Sequence, residues 1–165
     1  EAGYRHDSYS DPVSGGNVPA IVAAVSSERL FDTFLQLIES LGDTCDVVLE
    51  SSHERKTHPK EYRREGIERI LLESQLWDFE DLLLNDGCTS IAVLHSEHPF
   101  EVQLDEHKLI IAYGPEMQTF ETILSEHGVP QKKNLRVISQ GDHMHTSTNH
   151  FTSQFEDFAS QIHAE

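Results

Sequence analysis

Apolar and polar positions alternate most clearly between Cys88 and Gly114. Ile91 and Val93 share one face of a short run. Val102 and Leu104 oppose Glu101 and Gln103 in the next, and Leu109-Ile110-Ile111-Ala112 is apolar on both sides. Period-two runs of this length are strands. The polar turns 96–99 and 105–107 between them are too short for anything but antiparallel neighbours. A three-strand meander over 89–95, 100–105 and 108–113 is therefore expected.

Upstream, residues 20–25 form an apolar run without a polar face, which predicts a central strand. Leu30, Phe31, Phe34, Leu37, Ile38 and Leu41 then recur at helical spacing behind Ser26 and Ser27, and Gly42 follows as a stop. Val47-Val48-Leu49 supplies a further strand, and strand, helix and strand at this length predict a parallel βαβ unit. Residues 51–60 are polar and read as a loop. Helix is expected from about Glu61, with a break near 73–77 and Asp78 capping the second part. After the meander, Gly114-Pro115 opens a helix that buries Met117, Phe120, Ile123 and Leu124. Residues 134–139 predict one more strand. Phe151, Phe155, Phe158 and Ile162 mark a last helix from about Thr148. Trp77 and the phenylalanines fall at core spacing.

This order predicts an α/β or α+β class. It gives a mixed sheet with a parallel βαβ part plus an antiparallel three-strand meander, and helices on both faces. Residues 1–18, rich in Ser, Gly, Asp and Pro, read as a flexible tail. Residues 19–165 read as a single domain.

Charge narrows the partners. Twelve Lys and Arg stand against 29 Asp and Glu, a formal charge of −17. A surface this acidic opposes binding to nucleic acid or to an anionic membrane. No apolar run is long enough to span a bilayer. The sequence opens at Glu1 rather than Met, which fits a trimmed chain, and a cytoplasmic location is the expectation. Cys45 and Cys88 are read as two buried free thiols.

Three loops would share one sheet edge if the strands near 20–25, 45–50 and 134–139 were parallel, and ligands favour such an edge. They carry Ser26 and Ser27, then Ser51 and His53, then Asp142, His143 and His145. Two serines at a helix start can hold a phosphate through backbone N–H groups. His143 and His145, one residue apart beside Asp142, can chelate Zn²⁺ or another divalent metal, although no cofactor is required by any motif. Arg55, Lys56, Arg63 and Arg64 belong to a basic island, 55–69, in an otherwise acidic chain. That island suits an acidic protein partner or a second copy of the chain. A non-catalytic protein-interaction or regulatory module is the expected function. The alternative is a metal-dependent or phosphate-handling enzyme that uses the strand-end loops.

Overall fold

The computed structural model describes residues 1–10, 15–54, 58–137 and 147–165. Along the chain lie β1 (Gly3–Ser10), β2 (Asn17–Ala24), α1 (Ser27–Glu39), β3 (Thr44–Ser51), β4 (Lys60–Glu68), α2 (Arg69–Asp78) and α3 (Glu80–Asn85). They are followed by β5 (Thr89–His95), β6 (Glu101–Leu104), β7 (Ile110–Tyr113), α4 (Gln118–Glu126) and α5 (Asn149–Gln161). The strands form one sheet in the order β1-β2-β7-β6-β5-β3-β4. The meander β5-β6-β7 sits at its centre, as its alternation predicts.

Every pairing in the sheet is antiparallel. The expected parallel βαβ part is therefore absent among the described residues. β2 and β3 do run in the same direction, but β7, β6 and β5 stand between them. The meander fills the gap that a direct βαβ pairing would have closed.

One row shows how the pleat sorts side chains. Ala23 lies beside Ile110, Ile110 beside Leu104, Leu104 beside Ile91, Ile91 beside Leu49 and Leu49 beside Tyr62. Residues opposite one another share a face, so this row is apolar on one side throughout. The buried side chains of all five helices join it in one cluster, from Phe34 and Leu37 of α1 to Phe155 and Phe158 of α5. Helices thus cover one face, not both. The other face is partly covered near Leu109, where Leu135 and Val137 pack beside Val22 and Ala24. Leu135 and Val137 alternate with exposed Arg136 as a strand would, yet residues 135–137 join no ladder. Ile138 and Ser139, the rest of that expected strand, lie outside the described residues.

Two further differences follow from local pattern. Residues 3–10, assigned by composition to a tail, form the edge strand β1. Tyr4 is buried there, and its hydroxyl donates to Glu121. Residues 60–68 form β4 rather than the start of a helix. Within it, half-buried Tyr62 and Arg64 alternate with exposed Glu61, Arg63 and Glu65. Because α2 starts only at Arg69, its phase is set by buried Leu72 and Leu76. Ile70, Leu71 and Trp77 are left exposed instead of joining the core. Trp77 still meets Phe31 edge to face at 4.8 Å. The helical break falls at Phe79, just after Asp78. Cys45 and Cys88 are both buried, as expected.

Candidate functional site

Directions in the sheet decide where polar groups gather. β2, β6 and β3 end on the edge where β7 and β5 begin. Ser26 and Ser27, Ser51 to His53, the 105–109 turn and Asp86 to Thr89 therefore share one edge. Two constructions occupy it.

The first joins β3 to β5. Ser51 Oγ lies 2.5 Å from His53 Nδ1, and His53 Nε2 lies 2.6 Å from Asp86 Oδ2. Thr89 Oγ1 donates to the same carboxylate oxygen at 2.6 Å. The imidazole bridges the two, with Nδ1 meeting the Ser51 hydroxyl and Nε2–H donating to the Asp86 carboxylate, which can only accept. The residue types are those of a nucleophilic triad, but the setting differs. The His53 side chain is 4 % exposed and that of Asp86 0 %, and the imidazole edge rests against Phe155. A hydrolytic serine must present its oxygen to a substrate carbonyl beside oxyanion donors. This one is enclosed, and the chain works as a staple between two loops. Ser52 strengthens it: its N–H donates to the Cys88 carbonyl at 2.9 Å and its hydroxyl to Glu106 at 3.3 Å. Asp86 Oδ1 is buried without a hydrogen-bond partner among the described residues.

The second construction lies where β2 and β7 meet. A cavity of about 470 Å³ opens there, lined by Ser27, Leu84, Asn85, Lys108, Leu109 and Arg136 among others. Lys108 sits at the crest of a turn with φ of +63°, a conformation costly for a side chain with a Cβ. Asp105 holds that turn by accepting from the N–H groups of His107 and Leu109, each at 2.9 Å. Burial dominates and pushes the Lys108 amine down to about 8, although Asp86, Asp105 and Glu106 favour its charged form. Its Nζ donates to the Thr89 carbonyl at 3.4 Å. Burial likewise raises the Asp105 carboxyl, against the two N–H donors. Ser26 occupies the N-cap position of α1 as predicted, but its side chain makes no cap hydrogen bond.

Ser27 is thus brought to a cavity beside Lys108, and Ser51 and His53 are brought to each other. Arg63 and Arg64 are not part of either group. They lie on β4 at the far edge, where Arg63 Nε donates to Glu61 at 2.6 Å and Arg64 Nη1 to the Ile162 carbonyl at 3.3 Å. Arg55, Lys56, Asp142, His143 and His145 lie outside the described residues. Among the described residues no group of three or more His, Cys, Asp or Glu can hold a metal ion. His53 is engaged by Ser51 and Asp86. Asp86 and Lys108 were not singled out from the sequence. Asp86 stands in an Asn-Asp-Gly turn, and Lys108 at the start of the strand expected over 108–113, which begins only at Ile110, so neither carries a local signal of its own.

No family model, no curated protein and no solved structure matches the chain. Among the described residues no helix is long and apolar enough to cross a membrane.

Proposed function

We propose that the protein is a non-catalytic regulatory module that binds a small molecule bearing a phosphate or carboxylate in the cavity beside Lys108. The observation that carries this reading is the pairing of Lys108 and Arg136 in a cavity of ligand size, in a chain with few cations. The first turn of α1, with Ser27 at the wall, adds the positive end of a helix dipole. An incoming anion would also relieve the Lys108 amine, whose charge is penalised by burial. Glu1 lines the same cavity, and its carboxylate is held by Lys132 at 2.6 Å. The enclosure of His53 and Asp86 supports binding over hydrolysis.

Calorimetry with inorganic phosphate, repeated on Lys108→Met and Arg136→Gln, tests the reading. Binding that weakens with salt and falls at least tenfold in Lys108→Met is the expected result. Absence of binding to the native chain, or equal affinity in both variants, would overturn it.

A second reading is docking of an acidic protein, or of a second copy, through 55–69. β4 is an edge strand, and edges accept further strands or chains. Lys60 and Arg63 point outward, in exposed pairs with Glu54 and Glu61 that are worth little in water. Part of the edge is already taken, because Arg63 exchanges backbone hydrogen bonds with Glu165 at 2.8 and 2.9 Å.

A further inference from the structure

At the opposite end of the same strands, on the face that the helices leave open, lies a second cavity of about 450 Å³. Its walls are aromatic. Tyr9 of β1 and Tyr113 of β7 meet with ring centroids 5.6 Å apart and planes at 70°, and Phe100 and Pro99 continue the lining. Phe100 is fixed from behind: a Cβ at Gly114 would collide with its ring, and its edge meets Phe120 at 6.1 Å. Glu101 supplies a carboxylate. It is half-buried and accepts from Gln103 Nε2 at 3.1 Å through one oxygen.

We infer that this cavity binds an alkylated ammonium group, held over the Tyr9 and Tyr113 rings with Glu101 as counter-charge. Ring faces carry negative potential and attract a cation whose methyl groups shed water cheaply. A hydrophobic cation suits such walls better than a primary ammonium, which gives up more hydration on burial. No Lys or Arg is among the described lining residues, and His98 is the basic one. The charge of the whole chain favours the same sign of ligand. Burial, and then the nearby charge of Glu101, pushes the Tyr113 hydroxyl up to about 12, so the ring stays neutral in the physiological range. Tyr9 is 49 % exposed, so a ligand can reach the rings without rearranging the sheet.

Choline, compared with 3,3-dimethylbutan-1-ol, provides the test, because the two have one shape and differ in charge. Choline is expected to bind and its neutral isostere to fail. Tyr9→Leu and Glu101→Gln are each expected to weaken choline about fivefold to thirtyfold, and Tyr9→Phe to keep most of the affinity because it keeps the ring. Circular dichroism on each variant separates loss of site from loss of fold. An N-acetyl-trimethyllysine amide in a parallel titration distinguishes the source. Tighter choline assigns a free small molecule, tighter trimethyllysine a modified side chain, and either order supports the inference. Equal binding of the isostere would overturn it. So would unchanged affinity in folded Tyr9→Leu and Glu101→Gln, or no choline binding up to roughly 50 mM, where even a site worth ~4 kcal/mol is mostly filled.

Discussion

Asp86→Ala isolates what the enclosed chain from Ser51 to Asp86 does. Removing the carboxylate leaves two buried donors, His53 Nε2–H and the Thr89 hydroxyl, without an acceptor. Each orphaned donor costs about 1–3 kcal/mol. A loss of about 3–4 kcal/mol is therefore expected, against a total of about 5–15 kcal/mol for a domain. Asp86→Asn differs in kind, since its amide oxygen can take both donors and its NH₂ fills the position of the unpartnered Oδ1. About 1 kcal/mol is expected there, mostly from losing the charge that Lys108 faces.

Urea unfolding measures both. With a slope of about 2 kcal/mol per M, Asp86→Ala should lower the midpoint by roughly 1.5–2 M, and Asp86→Asn by about 0.5 M. A double-mutant cycle with His53→Ala should give a coupling of about 1.5–3 kcal/mol. If Asp86→Ala loses less than about 0.5 kcal/mol, or matches Asp86→Asn, the staple is refuted and Asp86 matters only as a charge.

Two other expectations are open to measurement. The Lys108 amine sits at about 8 in the folded chain and near its ordinary 10.5 when unfolded. Between those values the unfolded chain holds the extra proton, so stability should rise with pH relative to Lys108→Met; a flat difference across pH 8–10 in urea titrations would count against that burial. For the basic edge, sedimentation across a salt series with Lys60→Gln and Arg63→Gln should show native association that weakens as salt rises, screened over about 10 Å at 0.1 M. A native chain that stays monomeric, with variants that behave the same, would leave only a foreign acidic partner.

Legibility along the chain tracked how local each cause was. The meander was readable because its short turns leave one pairing available. α1 was readable because six apolar residues keep one phase from Leu30 to Leu41, and Gly42, with φ of +95°, turns the chain away just past the Ser40 C-cap. α5 was readable for the same reason, and Thr148 accepts from the Phe151 N–H at its start. β4 was not, because residues 60–68 carry charges on both faces and their half-buried alternation exists only against β3. β1 was hidden by polar residues that an edge strand tolerates and a tail also contains. The site split in the same way. A helix start at Ser26 and Ser27 is a local property. The enclosure of His53 and the burial of Lys108 come from strands that meet only in the folded sheet.

Two of the three loops expected on one edge share it without any parallel pairing, and the reason is parity; the third, with Asp142, His143 and His145, lies outside the described residues. In a purely antiparallel sheet, strands an even number of steps apart run the same way, and β2 and β3 are four steps apart. Both end on one edge, as parallel neighbours would, but at a spacing of about 4.8 Å per step they stand roughly 19 Å from each other. Ser27 and Ser51 therefore cannot grip one small molecule. Each instead works with the strand beside it: Ser27 with the Lys108 turn leading into β7, Ser51 with the Asp86 turn leading into β5. Lys108 is the link between them, because it lines the cavity and its Nζ reaches past the end of β6 to the first carbonyl of β5. A ligand that neutralises Lys108 would act at once on the carbonyl of the residue whose hydroxyl holds Asp86. If the proposed ligand binds, drawing the Lys108 amine toward it would loosen that contact and so couple occupancy of the cavity to the staple on the neighbouring strands.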